Sequence, residues 1–209
     1  GVGGAWWCAA PPCEISPPST APDADAATPA PTPAPTPPPR NLTLFVTNAS
    51  VSVASLGGVA GADAACTAQS PGGVPSKALI ADEAGCSGSP CRQATIGSQI
   101  DWALLPNTPY WNHDETRLIA TTTADAVLPN PLDGVIQTVS NFNQASGMNN
   151  DWTTKVGFTC DSWRNGTSSF SAGVGWLCTD PGTCLNTDQV LVGGSGDCGG
   201  SARFLCATV

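Results

Sequence analysis

Short apolar runs bounded by turn-forming residues recur through residues 41–209 and predict a set of short β-strands. The first run is LTLFVTN, which begins at Leu42. The last run is ARFLCATV, which ends at Val209 and alternates along its length. We expect this last strand to pair with the first and to tie the two ends of the domain together. Three further strands are predicted at KALIAD, TRLIATTT and GVIQTV.

A short helix is predicted over residues 57–73, GGVAGADAACTAQSPGG. Its small side chains allow close packing, Asp63 and Cys66 lie near one another along it, and the Gly72–Gly73 pair ends it. From Asn141 onward Trp, Gly, Asn and Ser dominate, which is typical of a loop-rich region joined by cysteines. The helix and strand patterns together predict an α+β domain that is rich in loops.

The chain before this domain has a different composition and divides into two parts. Residues 1–16, GVGGAWWCAAPPCEIS, are a short apolar segment with two tryptophans beside two cysteines, which we call the N-terminal plug. Residues 17–40 carry proline at nearly every second position, which prevents helix and sheet ladders and favours an extended polyproline II linker. At about 3.1 Å per residue this linker reaches roughly 70 Å. The predicted organisation is a plug, a linker and a domain at residues 41–209.

Charge and hydropathy limit the partners. The chain has 7 Lys and Arg against 16 Asp and Glu, a net charge of -9, and we therefore expect neither nucleic acid nor an anionic membrane to bind it. It contains no apolar run of about 18 residues, so no membrane span is predicted. We expect a mature chain, secreted through a signal peptide that has been removed and located outside the cell or at its surface.

Ten cysteines and a single histidine, His113, indicate disulfides rather than a zinc site, and disulfides form in an oxidising compartment. Three pairs are close in sequence: Cys8 and Cys13, Cys86 and Cys91, Cys178 and Cys184. Joining the remaining four as Cys66–Cys206 and Cys160–Cys198 gives a nested arrangement. The sequence alone leaves the connectivity open, because ten cysteines can pair in many ways.

A helix cysteine bridged to a last-strand cysteine, with an inner pair in the second half, is similar to the C-type-lectin-like fold. The chain resembles most closely a bacterial branch of that fold, a surface-protein family of largely unknown function. The resemblance covers residues 42–209 with gaps, and GGVAGADAAC is its most specific stretch. The matching segments are LFVTNASVSVASLGGVAGADAACTA, KALIADEAG, DWTTKVGFTCDSW and SARFLCATV.

This resemblance implies an α+β domain with two short helices, a small antiparallel sheet that joins the termini, and a long loop region. Members of the wider fold often bind sugars through calcium, with Glu-Pro-Asn or Gln-Pro-Asp in the long loop and Trp-Asn-Asp on the next strand. This chain has neither motif. WNHD at residues 111–114 and NNDW at residues 149–152 are similar to them in composition only.

Oxygen ligands mark one candidate metal site. Asp180, Asn186 and Asp188 are predicted to share one disulfide-closed loop, Asp197 follows, and hard oxygen donors on irregular backbone suit calcium. The alternative is that these residues form Asx-turns, since acids among Asn, Gly and Thr commonly do so. No cofactor is required by this interpretation.

His113 is the only histidine and would have to serve in any serine-protease-like triad. Its polar context, YWNHDET, favours an exposed loop. We therefore predict no catalytic residue.

Carbohydrate is a predicted partner, either attached or bound. The Thr/Pro repeats of the linker are candidate sites of O-linked glycans, and three Asn-x-Ser/Thr sequons are candidate N-linked sites. The candidate acceptors are Thr28, Thr32, Thr36, Asn41, Asn48 and Asn165.

The domain contains five tryptophans: Trp102, Trp111, Trp152, Trp163 and Trp176. Exposed tryptophans would stack on sugar rings. In a small disulfide-rich domain we expect most of the five to be buried.

The plug has too few residues to bury Trp6 and Trp7, and an exposed apolar patch usually marks an interaction site. We expect Val2, Trp6 and Trp7 to enter a groove, either on the chain's own domain or on a neighbouring copy. Head-to-tail contact between copies gives a filament where it does not close into a ring. The hypothesis is a non-enzymatic extracellular structural protein that polymerises with itself. The alternative is a secreted or surface lectin that binds glycans, with calcium as its candidate ion.

Overall fold

A computed structural model describes residues 40–82, 91–136, 142–166, 171–177 and 194–209. The N-terminal plug and all of the linker except Arg40 lie outside these residues. Within the described ranges, no helix is both long and apolar enough to cross a membrane. Ten strands are described: β1 Leu42–Val46, β2 Val51–Ser52, β3 Ser76–Ala78, β4 Pro109–Trp111, β5 Leu118–Thr121, β6 Phe142–Ala145, β7 Ser171–Leu177, β8 Gly194–Asp197, β9 Ser201–Ala202 and β10 Leu205–Thr208.

The largest sheet has the order β3-β10-β1-β4-β5. β1 pairs antiparallel with β10, with Leu44 opposite Ala207 and Phe45 opposite Cys206, which confirms the predicted pairing of the first and last strands. β1 runs parallel to β4 on its other side. Two smaller sheets, β2-β9 and β6-β7-β8, complete the described strands, and the sequence pattern predicted neither of them. With the helix described next, this is an α+β, disulfide-rich fold.

The predicted helix is present as α1, Val59–Ala68, which ends earlier than predicted. The Gln69 N–H already bonds the carbonyls of Cys66 and Thr67, so Gly72 and Gly73 belong to a separate short turn and do not end the helix. Close packing of α1 is real at Gly61, where a Cβ atom would lie 1.4 Å from the Leu56 carbonyl oxygen. A larger residue there would displace the backbone.

The predicted strand GVIQTV is wrong in its described part, because residues 134–136 form no ladder. The N–H groups of Asp133 and Gly134 both donate to the Ile119 carbonyl, at 2.8 and 3.0 Å, and so cover the outer edge of β5. Residues 137–139 lie outside the described ranges. The other two internal predictions hold in shortened form, since KALIAD contributes Lys77 and Ala78 to β3 and TRLIATTT contains β5.

Both faces of the large sheet are buried, each under a different cluster of side chains. Along β1, Leu44 and Val46 pack into one cluster and Phe45 into the other, as the two-residue period of a strand requires. Two tryptophans belong to these cores, Trp152 at 6% exposure and Trp163 at 0%. Trp102 and Trp111 are half-buried. Of the four tryptophans whose side chains are described, two are therefore fully buried as expected. The side chain of Trp176 lies outside the described residues.

Two disulfides join distant parts of the fold. Cys66 on α1 is bonded to Cys206 on β10, and Cys160 is bonded to Cys198, which is the nested pairing considered from the sequence. In the chain-entropy model these bridges restrict the unfolded chain by about 5 and about 4 kcal/mol. Cys91 is also disulfide-bonded. Five cysteines of the predicted close pairs lie outside the described residues: Cys8, Cys13, Cys86, Cys178 and Cys184.

Residues Cys160–Trp163 form a short helical turn of the left-handed sense, which we call the left-handed turn. All four residues have positive φ, between 52° and 60°. A left-handed conformation costs an L-residue roughly 1–2 kcal/mol, so the surrounding contacts must hold it. The Cys160 disulfide anchors one end, and the other end is fixed by fully buried Trp163, whose Nε1 donates to the Ala81 carbonyl at 2.8 Å. The resemblance implied two short helices, and this second element is not an ordinary one.

Replacing Asp161 with glycine tests this turn. Asp161 is exposed with φ +52°, and glycine adopts that φ without steric cost. We expect Asp161→Gly to raise the free energy of unfolding by about 0.5 kcal/mol, since relief of strain exceeds the added entropy of the unfolded chain. Asp125→Gly is the matched control, because Asp125 is exposed at ordinary φ, and it should lose about 0.5–1 kcal/mol. Guanidinium unfolding followed by tryptophan fluorescence measures the free energy of unfolding of both variants. If both variants lose the same stability, the left-handed conformation of Asp161 is contradicted.

Candidate functional site

The stretch from Arg92 to Leu105 is the part of the described surface that combines a built scaffold with exposed apolar side chains. Gln93 and Ile100 exchange backbone hydrogen bonds of 3.2 and 3.3 Å, which closes residues 93–100 into a hairpin-like loop. Ser98 N–H donates to the Thr95 carbonyl at 2.9 Å and tightens its end. Arg92 enters this loop and Asp101 leaves it, so the two residues meet at its base.

Arg92 is fully buried and joins three elements. Its Nη1 and Nη2 atoms each lie 2.8 Å from the Asp63 carboxylate on α1, a bidentate ion pair. Nη1 also donates to the Ala78 carbonyl of β3 at 2.7 Å. Nε and Nη2 bind the carbonyl and the carboxylate of Asp101 at 2.7 and 2.8 Å. The planar guanidinium therefore fixes the loop base to the helix and to the sheet.

Lys77 completes this ion-pair cluster from the surface side. Its Nζ lies 2.5 Å from Asp101 Oδ1, and both side chains are about one-third exposed. Asp63 Oδ1 also accepts the Ala78 N–H at 2.8 Å, which covers the outer edge of β3. Two cations and two carboxylates thus balance one another. We call Lys77, Asp63, Arg92 and Asp101 the Arg92 cluster.

The charges of the Arg92 cluster reinforce one another. Burial acts to lower the pKa of Arg92, but the hydrogen bonds and charges of Asp63 and Asp101 outweigh it and raise that pKa. Burial acts to raise the pKa of Asp101, and the bonds from Lys77 and Arg92 outweigh it, so that pKa is lowered. Both groups stay ionised at neutral pH, and the cluster is a fixed structural link.

Two further hydrogen bonds attach the loop to the turn at residues 123–126. Gln99 Nε2 donates to the Asp125 carbonyl at 2.6 Å, and Trp102 Nε1 donates to the Ala126 carbonyl at 2.8 Å. The Trp102 ring also meets Trp152 edge to face, with centroids 6.2 Å apart. These contacts hold the loop at its far side as the Arg92 cluster holds it at its base.

Exposed apolar side chains concentrate on this stretch. Ile96, Ile100 and Leu105 are 47%, 48% and 46% exposed, and they are three of the five large apolar residues exposed in the described ranges. The backbone of Leu105 is fixed, since its N–H donates to the Tyr110 hydroxyl at 3.0 Å and its carbonyl accepts from Thr122 Oγ1. We call these three residues the 96–105 surface. They are the large apolar side chains that this stretch exposes to solvent.

The predicted calcium ligands are only partly described. Asp197 is exposed at the end of β8, and its Oδ1 accepts the Gly199 N–H at 2.8 Å, the geometry of an Asx-turn. Asp180, Asn186 and Asp188 lie outside the described residues. Among the described residues, no group of three or more His, Cys, Asp or Glu side chains is placed to hold a metal ion.

His113 lies in an exposed loop, as expected, with its ring edge to face against Phe45 at 6.3 Å. The loop is ordered by polar side chains. Asn112 Oδ1 accepts the N–H groups of Thr116 and Arg117, and Asp114 accepts the Thr116 hydroxyl at 2.7 Å. That hydroxyl bond lowers the pKa of Asp114. The WNHD stretch therefore builds its own turn.

The three N-linked sequons occupy different environments. Asn48 lies in an exposed run of residues 48–50 after β1. Asn41 is exposed, but Thr43 of the same sequon is buried in β1 at 2% exposure. Asn165 is half-buried, and its N–H donates to the Cys160 carbonyl at 3.0 Å behind the left-handed turn. The other candidate residues, Val2, Trp6, Trp7, Thr28, Thr32 and Thr36, lie outside the described residues.

A shallow groove lies where the linker joins the domain. Its cavity volume is about 40 Å³, room for a few water-sized groups and too little for a sugar ring. The buried Thr43 hydroxyl has no hydrogen-bond partner there among the described residues. The groove is lined by Arg40, Asn41, Leu42, Thr43, Pro71, Val74, Glu115 and Thr208.

Sequence reasoning did not single out Arg92, Asp101 or Lys77. One signal was available, because Asp63 is the only charged residue in α1 and sits among alanines and glycine. A lone carboxylate on an apolar helix needs a partner when the helix is packed. The identity of that partner, 29 residues away, depends on the fold.

Substitution of Arg92 should be strongly destabilising. We expect Arg92→Met to lower the free energy of unfolding by about 3–5 kcal/mol, because it leaves Asp63 without its cation and Asp101 with Lys77 alone. Arg92→Lys should recover little, since a single ammonium cannot reproduce the five donated hydrogen bonds. Urea unfolding measures the loss. Arg117→Met, at an exposed arginine, is the control and should change stability by less than about 0.5 kcal/mol. Equal effects at the two sites would refute the role of Arg92.

Acid should weaken the same cluster through Asp101. The folded pKa of Asp101 lies below its ordinary value of 3.8, so the unfolded chain binds the proton first as the pH falls. The stabilisation is complete above about pH 4 and is lost as the pH falls through the folded pKa. Asp101→Asn should therefore flatten the fall in unfolding free energy below about pH 4, whereas Asp125→Asn should leave that slope unchanged. An unchanged slope in Asp101→Asn would exclude this linkage.

Comparison with known proteins adds a family but no activity. The family profile described as "Protein of unknown function (DUF1554)" matches residues 49–178, more than half of the chain. The matched region contains α1, the whole Arg92 cluster and the 96–105 surface. No curated protein matches the chain. On the extent of the profile match, the chain belongs to the DUF1554 family of proteins of unknown function.

Proposed function

We propose that this protein is a non-enzymatic extracellular structural protein, a subunit of a bacterial surface or filament assembly. Its copies join head to tail through the N-terminal plug. The observation that carries the proposal is the pairing of a tryptophan-rich plug with a separately stabilised domain, connected by a proline-rich linker. A segment of sixteen residues that includes three glycines and two prolines is too small to bury Trp6 and Trp7 by itself.

The extracellular location is supported by the disulfides. Cys66–Cys206 and Cys160–Cys198 cross-link the described domain, and Cys91 is disulfide-bonded as well. Structural disulfides persist in oxidising compartments and are rare in reducing ones. With 11% charged residues and a net charge of -9, the composition also fits a secreted surface protein.

A C-type-lectin-like fold is part of the proposal. Its support is the antiparallel pairing of β1 with β10, which joins the ends of the domain. The disulfide from α1 to β10 and the inner disulfide Cys160–Cys198 have the arrangement that the resemblance implied. Such a domain would serve here as a building block, since the two disulfides and the Arg92 cluster give it fixed cross-links between distant segments.

The glycan-binding alternative has less support in the described residues. Asp197, the one predicted calcium ligand that is described, already uses Oδ1 to accept the Gly199 N–H. Glycans attached to the chain remain compatible with the structural function, and Asn48, in its exposed run after β1, is the sequon best placed to carry one.

The proposal is tested by comparing the full chain with a chain that lacks residues 1–16 and with Trp6→Ser/Trp7→Ser. Electron microscopy and multi-angle light scattering should show fibres or long oligomers for the full chain only. Loss of the two indoles removes most of the plug's large apolar surface, so both altered chains should stay monomeric. The unfolding midpoint of the domain should not change. Monomers in all three samples would rule out the assembly and direct the work to glycan arrays with and without calcium.

A further inference from the structure

We propose that the shallow groove at the start of the domain is a binding site for a small carboxylate, of the size of acetate. The groove lies between the first residues of β1, the turn at residues 71–73 and the end of β10. All of its lining residues belong to one compact unit, Pro39–Val209. Binding here therefore does not depend on the proposed assembly.

The deepest lining residues are two buried threonines on neighbouring strands. Thr43 on β1 is 2% exposed and Thr208 on β10 is 3% exposed. The Thr43 N–H donates to Thr208 Oγ1 at 2.8 Å, so the Thr208 oxygen already accepts a hydrogen bond. Among the described residues, Thr43 Oγ1 has no hydrogen-bond partner and the Thr208 hydroxyl has no acceptor for its proton. Two buried hydroxyls are thus free to donate, and a buried donor is unfavourable until it finds an acceptor.

Arg40 supplies a cation at the exposed side of the groove. Within the described part of the chain its guanidinium forms no ion pair. Gly72 makes room for this side chain, because a Cβ atom at Gly72 would collide with Arg40 Nη1. Gly72 also has φ +65°, which glycine adopts without steric cost. The turn therefore leaves the space that the guanidinium occupies beside the groove.

A carboxylate matches this set of donors. When ionised it only accepts hydrogen bonds, and its two oxygens can accept from the two hydroxyls and from a guanidinium together. Leu42, Pro71 and Val74 provide apolar walls for a short alkyl group. The cavity volume of about 40 Å³ has room for about three or four water-sized groups, and acetate has this size.

Glu115 limits the charge of the ligand. It is half-buried, lines the same groove and carries the charge opposite to that of Arg40. The two charges cancel, so a singly charged carboxylate is favoured over phosphate or sulfate, whose second charge would meet no further cation in the lining. Repulsion from Glu115 also gives the site a signature, because removal of this charge should strengthen binding.

Acetate binding to the full-length chain provides the test. Saturation-transfer difference NMR follows the acetate methyl signal and should give a Kd in the millimolar range. Arg40→Gln should raise this Kd about tenfold, because it removes a charge-assisted hydrogen bond. Thr43→Val keeps the shape of the side chain, removes the hydroxyl and should raise the Kd about fivefold. Glu115→Gln should lower the Kd about twofold.

The matched control is Arg164→Gln. Arg164 is exposed and lies beside Gly58, at the opposite end of α1 from the groove. We expect this variant to bind acetate as the unaltered chain does. A second readout is the thermal unfolding midpoint, which acetate should raise in the unaltered chain and in Arg164→Gln but not in Thr43→Val, since only a ligand of the folded state stabilises it.

The carboxylate can be a free acid or a side chain of another protein. A blocked aspartate, N-acetyl-aspartate N-methylamide, carries the same group on a peptide unit and is titrated beside acetate. Tighter binding of acetate supports the site with a free acid as its ligand. Tighter binding of the blocked aspartate supports the site with an acidic side chain of a partner as its ligand.

Three results would overturn the assignment. Absence of a saturable acetate signal would show that the groove takes water alone. An unchanged Kd in both Arg40→Gln and Thr43→Val would place the acetate elsewhere on the chain. Weaker binding in Glu115→Gln would show that the ligand is not repelled by that carboxylate and is therefore no anion. None of these results bears on the head-to-tail assembly, whose own test changes residues 1–16.

Discussion

The buried guanidinium of Arg92 is the constraint on which the arrangement of the described surface depends. A buried cation must have its charge balanced and its donors bonded, and this one obtains both from α1, β3 and the residue that ends the 93–100 loop. Three segments that are distant along the chain therefore have to meet at one point. The 93–100 loop, which carries the exposed Ile96 and Ile100, is attached to the domain at that point.

A second link, of a different kind, supports the face of the large sheet on which Trp163 and α1 pack. Trp163 is packed edge to face with Phe204, and the Cys160–Cys198 bridge holds the residues before it in a left-handed conformation. The Gly58 N–H donates to the Trp163 carbonyl at 2.9 Å, which ties the start of α1 to the same turn. Helix α1 thus has two polar supports, the ion pair at Asp63 and the hydrogen bond at Gly58. Covalent and electrostatic links thus join segments of this loop-rich domain that are distant along the chain.

How much of the fold and of the candidate site could be predicted depends on how far apart in sequence the interacting residues lie. The strands at the two ends of the domain follow from alternation of apolar residues, and α1 follows from its small residues and flanking glycines. The GVIQTV prediction failed in its described part because Val135 and Ile136 are buried without belonging to a strand. The N–H groups of the two residues before them both bind the Ile119 carbonyl at the edge of the sheet. The Arg92 cluster and the left-handed turn depend on partners brought together by the fold, and no local pattern specifies them. The 96–105 surface shows the same limit, since exposure cannot be read from apolarity.

If the plug binds the domain of a neighbouring copy, as proposed, the question is why it would not bind its own domain. A flexible linker would hold it there at an effective concentration of about millimolar, which would outcompete a neighbour at ordinary protein concentrations. Proline at nearly every second position favours a stiff, extended linker, and a stiff spacer lowers that effective concentration where it cannot bend back to the site. The composition of residues 17–40 is thus as much a part of the proposed head-to-tail contact as the tryptophans. A glycine- and serine-rich linker of equal length would favour closed monomers over assembly.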